Sequence, residues 1–121
     1  MSPVRIIIAT LDSARIYAAL EAAIAWAALG REVEVFFQGE AVAGLRRPVI
    51  HPADHARQAA GQPDLATLLG EVREARVAIF VCQSGLALAG VTMEALAVEA
   101  KAAGLVGYLA AVPANALVVT Y

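Results

Sequence analysis

The residue with the clearest chemical capability in this sequence is its single cysteine, Cys82, at the head of Cys82-Gln83-Ser84-Gly85. It ends an apolar, β-branched run and directly precedes a stretch with helical character. Backbone N–H groups at the start of that helix point toward such a sulfur, and the helix dipole favours thiolate over thiol. A thiolate held this way is a nucleophile that needs no neighbouring base. Ser84 and Gly85 are the nearest candidate binding residues. The residue types leave a second reading open, in which Cys82 is a small buried hydrophobe closing an apolar strand.

Two further segments fall where strands should end, the rim on which open parallel sheets bind ligands. They are Thr10-Leu11-Asp12-Ser13 and Gln38-Gly39-Glu40. Asp12 and Ser13 are candidate binding residues and equally good helix caps. Residues 44–63 hold both histidines, His51 and His55, with Arg46, Arg47 and Arg57, the densest positive cluster in the chain. Leaving the second strand on the cysteine's own rim, this segment is expected to fold across Cys82. Arg47 and His51 would then steady a sulfur anion. The competing reading is a solvated surface loop. One cysteine with His51 and His55 is too small a ligand set for structural zinc, so no metal is expected. Gly39 and Gly44 precede no Lys-Ser/Thr pair, so no phosphate-binding loop or other cofactor site is called for.

The elements that must position these residues alternate in period. Residues 4–9 are a nearly unbroken β-branched run, the mark of a strand buried on both faces. A helix follows to Leu29, placing Ile16, Leu20 and Ile24 on one face and stopping at Gly30. Trp26 lies away from that face, beside Ala19 and Ala22, as an exposed residue or a subunit contact. Residues 33–37 alternate as a second strand with an edge-like pattern. Periodicity fails over 44–63, which Pro48, Pro52 and Pro63 punctuate, and a connection this long is usually functional or mobile. Leu65, Leu68, Leu69 and Val72 then mark a helix that Asp64 can cap. A third buried strand runs over 77–81 and ends at Cys82. The helical stretch after it breaks near Gly90 and resumes over 92–103, and the last two strands are expected at 105–109 and 117–121. Strands alternating with helices predict one α/β domain over residues 1–121. Its architecture is a three-layer α/β/α sandwich on a five-stranded, mostly parallel sheet.

Composition narrows the partners. The chain has 121 residues, 60% of them hydrophobic and 17% charged, with a net charge of -2. No basic stripe is present, which argues against nucleic acid. The uncharged stretch after Lys101 is broken by Gly104, Gly107, Pro113 and Asn115, so it reads as folded elements and no membrane partner is expected. A lone cysteine and the lack of a signal-like opening fit the cytoplasm. So little charged surface predicts a homo-oligomer.

The segment Cys82-Gln83-Ser84-Gly85-Leu86-Ala87-Leu88-Ala89-Gly90-Val91 resembles the cysteine loop of the DsrE/DsrF/TusD family, where a strand-end cysteine precedes a short helix closing on Gly-Val. Ile6-Ile7-Ile8, the alanine-rich helix, Gly30 and Val33-Glu34-Val35-Phe36-Phe37 resemble the family's opening, and Leu117-Val118-Val119-Thr120-Tyr121 its last strand. The resemblance implies a small α/β protein that carries sulfane sulfur as a cysteine persulfide, often as an oligomer. It would act as a sulfur carrier or sulfurtransferase, exchanging sulfur with a protein donor or acceptor. Cys82 matches the carrier position. Where the better-known sulfur-relay members have arginines before the glycine, this chain has Leu88-Ala89. The alternatives are a non-catalytic oligomeric scaffold, or a small-ligand-binding protein, with a structural Cys82.

Overall fold

The computed structural model describes residues 1–121 throughout. Val4–Ile8 forms β1 with all five residues buried, as a two-sided apolar run requires. The helix α1 (Ser13–Ala28) begins where Asp12 accepts from the Arg15 N–H at 3.2 Å, and it ends before Gly30, whose φ of 86° is open to glycine. β2 (Val33–Phe37) pairs in parallel with β1, Val4 opposite Val33 and Ile8 opposite Phe37. After the 3-10 helix Gly39–Leu45 and α2 (Asp54–Ala59), Asp64 caps α3 (Leu65–Glu74), accepting from the Thr67 N–H at 2.9 Å. β3 (Ala78–Cys82) leads into α4 (Gln83–Ala89). A short 3-10 turn at Met93–Ala95, β4 (Lys101–Ala103), α5 (Leu105–Ala110) and β5 (Leu117–Thr120) complete the chain.

The strand order is β4-β3-β2-β1-β5, and every pairing is parallel. From β1 to β4 the chain steps outward in one direction; it then returns across the sheet to pair β5 with β1. With one crossover hand throughout, reversing direction moves the crossover to the other face. α1 packs against α3 on the first face. Ile79 of β3 shares a cleft with Leu69 and Arg73 of α3, whereas the next residue, Phe80, meets Tyr108 of α5 at 5.2 Å between ring centres. Adjacent strand residues point to opposite faces, so α3 and α5 lie on opposite sides and the three layers are complete.

The α5 face carries the one buried cation of the sheet. Arg5 of β1 pairs with Glu32 at 3.0 Å and Glu34 at 3.1 Å, and the Tyr108 hydroxyl donates to Glu34 at 3.2 Å. The Tyr108 ring stacks on Phe36 with centres 4.5 Å apart. A buried charge keeps its solvation only through such partners, and here they also fix where α5 sits.

Several expectations are corrected. Residues 105–109 are helical, and the fourth strand is Lys101–Ala103, at the end of the stretch read as helix. An apolar run of five residues carries no decisive periodicity. Tyr108 decides it by burying against Phe36 and Phe80 while Val106 and Leu109 stay exposed. The alanine-rich β4 has no strand preference of its own and is set by its register, Phe80 opposite Lys101 and Cys82 opposite Ala103. β2 is the central strand of the sheet instead of an edge. Residues 44–63 contain α2 and the end of a 3-10 helix. Because α2 buries none of its six residues, it leaves no apolar stripe to detect. Ala19 is fully buried, so of the proposed contact face of Ala19, Ala22 and Trp26 only the half-buried Ala22 and Trp26 reach the surface. Trp26 packs under the Arg31 guanidinium, 4.9 Å from the ring centre.

Candidate functional site at the end of β3

Cys82 closes β3 and is the N-cap of α4, with extended backbone at φ -71° and ψ 131°. That conformation turns its side chain back over the first amides of the helix. The backbone amides of Gly85, Gly39 and Ser84 favour the anion of this sulfur. Ser84 Oγ lies 2.8 Å from Sγ. Burial pushes the Cys82 thiol up, but these four donors outweigh it and hold the thiol below its ordinary value. The surroundings of the sulfur therefore favour its thiolate. It is also only 4% exposed.

Gly39 lies this close because α4 meets the Gly39–Leu45 helix at Gly85, which has no side chain to hold the two apart. A Cβ on Gly85 would strike Val42 Cγ2 and come within 2.8 Å of Gly39 O. Gly85 is therefore the point of closest approach, and Gly39 takes the φ of 58° that begins the turn. Ala41, Val42 and Leu45 are buried beneath. The sequence places Gly39 on the rim, yet no residue type announces that its amide is a sulfur ligand; only the packing at Gly85 shows it.

Of the residues singled out in the sequence, the structure brings Ser84 and Gly85 to Cys82. Asp12 is occupied as the cap of α1. Ser13 opens that helix and borders a shallow recess with Tyr17 and Arg57. Arg47 donates to the carbonyl of Glu94, and Arg46 to that of Ala89, the last residue of α4. A short antiparallel bridge joins the same strip, with Arg47 N–H to Ala95 O at 2.9 Å and Ala97 N–H to Leu45 O at 2.8 Å. Arg46 thus fills a carbonyl that the C-terminus of α4 leaves open, and Arg47 braces the Met93–Ala95 turn that follows.

His51 is buried and contributes to the fold. Its Nδ1 accepts from the Ala53 N–H at 3.2 Å, which makes Nε2 the donor to Leu11 O at 3.0 Å. The ring sits edge-on to Tyr17, with centres 5.5 Å apart. Asp54 ties this segment down by accepting from the Tyr17 hydroxyl and from the amides of His51 at 2.9 Å and Leu65 at 3.0 Å. Burial raises the Asp54 carboxyl, but those three bonds prevail and hold it below the usual carboxylate range. The segment expected to lie over Cys82 is strapped to α1, and the element that covers the sulfur is Gly39–Leu45. The segment's charges act elsewhere: Arg57 pairs with Glu21 at 3.2 Å and stacks over Tyr17.

Comparison with known proteins agrees with this architecture. A family model described as the DsrE/DsrF-like family matches residues 4–121. Among solved structures, the ychN protein from E. coli is similar over 100% of both chains, with a TM-score of 0.76 at 19% identity. A conserved protein of unknown function, BT1422 from Bacteroides thetaiotaomicron, is similar with a TM-score of 0.63 at 12% identity, over 97% of this chain and 94% of that one. At these identities the likeness is one of fold. No curated protein matches the chain.

Proposed function

The chain belongs to the DsrE/DsrF-like family, and from that premise we propose that it is a sulfur carrier holding sulfane sulfur on Cys82. The observation that carries this reading is the Ser84 hydroxyl 2.8 Å from Sγ at the junction of β3 and α4, where the amides of Gly39, Ser84 and Gly85 also favour the anion. They favour thiolate, the form that attacks sulfane sulfur. The Cys82 thiolate attacks the outer sulfur of a donor persulfide, forming the Cys82 S–S bond and releasing the donor as its thiolate. An acceptor thiolate then attacks that outer sulfur and Cys82 leaves as thiolate again. Each step exchanges one sulfur–sulfur bond for another, so no oxidant is consumed. Ser84 and Gly85 position the carrier sulfur. The donor and acceptor are proposed to be thiol-bearing proteins in a reducing compartment such as the cytoplasm; no helix here is long and apolar enough to cross a membrane.

Incubation with a small-molecule persulfide donor followed by intact-mass measurement tests the proposal. One added sulfur per chain is expected, absent in Cys82→Ser and removed by a thiol acceptor. A chain that gains no sulfur while its fold is intact overturns it.

One observation favours a second reading, a non-catalytic oligomeric scaffold. Cys82 is 4% exposed and covered by a well-packed turn, and a thiol resistant to alkylation in the folded chain would move the assignment there.

A further inference from the structure

The crossover from β3 to β4 lacks a full helix on the α3 face. After Cys82 the chain spends α4 against the Gly39–Leu45 turn, then returns through Met93–Ala95 and an extended stretch to β4. Where a covering helix would lie in a three-layer sandwich, a cleft of about 280 Å³ remains beside α3. Its floor is Leu69, Val77 and Ile79, all buried. Arg73 of α3 and Glu99 of the extended stretch line the same cleft, and neither takes part in any ion pair. Ile79 stands three residues before Cys82 and on the opposite side of the strand from Phe80, so the cleft is separate from the sulfur site.

We propose that this cleft binds a free α-amino acid with an apolar side chain, its side chain on the Leu69–Val77–Ile79 floor, its carboxylate at Arg73 and its ammonium at Glu99. Ligand pockets begin at about 300 Å³, so a cleft of about 280 Å³ suits a ligand of amino-acid size. Its two opposite charges select among small ligands. An uncharged apolar molecule leaves both side chains unused, a simple carboxylate leaves Glu99 unused, and a simple amine leaves Arg73 unused. A zwitterion with an apolar body satisfies the floor and both charges together.

Titration calorimetry and amide chemical-shift mapping of the full chain, with L-leucine and L-phenylalanine as probes, test this. Binding is expected at millimolar concentration or below, with shifts centred on Leu69, Val77 and Val98. The matching carboxylate, 4-methylpentanoate, and the matching amine, 3-methylbutylamine, should each bind at least roughly tenfold more weakly, as should L-leucine to Arg73→Gln or Glu99→Gln. Gly70 lines the cleft and a Cβ there meets nothing within 4 Å. Gly70→Leu adds a side chain to the cleft lining with open space at its Cβ and should abolish binding. Cys82→Ser should bind as the parent does, which separates this proposal from the sulfur chemistry. No binding by either amino acid, equal affinity for the carboxylate, or undiminished binding by Gly70→Leu overturns it. So does a fall in molecular mass by light scattering with Gly70→Leu, which would assign the cleft to a second copy of this chain.

Discussion

The sulfur of Cys82 is held by hydrogen bonds that only its anion can use fully. Its alkylation rate should accordingly reach half-maximum below the ordinary thiol value of about 8.5. Ser84→Ala removes the hydroxyl 2.8 Å away and should move that midpoint up; an unchanged midpoint would mean that the backbone amides alone set it. The same shift has a signature in stability. A thiol whose pKa is lowered on folding contributes stability above its unfolded pKa and loses that contribution as pH falls through the folded one. Urea melts should therefore show stability rising toward pH 8.5 in the parent and flat over that window in Cys82→Ser. Asp54 behaves likewise at acid pH. Its lowered carboxyl stabilises the fold above about pH 4 and loses that contribution as it protonates below. Asp54→Ala leaves the Tyr17 hydroxyl and the His51 and Leu65 amides without their acceptor. It should cost about 2 kcal/mol at neutral pH.

Two short elements meeting at one glycine build the site. Replacing glycine by alanine inside a helix ordinarily stabilises by up to about 1 kcal/mol. At Gly85 the new methyl would run into the buried Val42 side chain and the Gly39 carbonyl. Overpacking of this kind costs about 1–3 kcal/mol, so Gly85→Ala should be destabilising on balance. By lifting Gly39 from the sulfur it should also raise the alkylation midpoint of Cys82. A variant that is more stable than the parent, with the midpoint unmoved, would contradict the packing described. The far end of α4 is held by Arg46 and the turn after it by Arg47, each through a backbone carbonyl and with no part played by the side chains of Leu88 and Ala89. Arginines brought near by sequence therefore serve this helix as braces, without placing charge beside the thiol.

Across the whole molecule, apolar surface is left on the α5 layer and on the β5 edge. Val106 is 84% exposed and Val118 45%, on a helix and an edge strand that no other element covers. Open strand edges and exposed apolar helices invite pairing with another chain. The chain should therefore scatter light as more than one copy, and Val106→Glu with Val118→Lys should shift it toward the monomer. A parent that is monomeric at micromolar concentration would sink the proposal of self-association and, with it, the oligomeric form of the scaffold reading.

By itself the sequence determined what local pattern encodes. The β-branched runs of β1 and β3, the existence of β2 as a strand, the caps Asp12 and Asp64 and the stop at Gly30 each depend on neighbours within a turn, and all stand in the fold. The place of Cys82 between strand and helix was legible for the same reason. Tertiary structure decided whatever rests on contacts distant along the chain. Strand order needed the reversal of crossover direction, and the helical form of Leu105–Ala110 needed Tyr108 to find Phe36 and Phe80. The burial of His51 needed Leu11 and Tyr17. The donor from Gly39 needed a glycine forty-six residues later to let two backbones touch. Such contacts leave no period in the sequence, because each joins residues whose own neighbours say nothing of the partner.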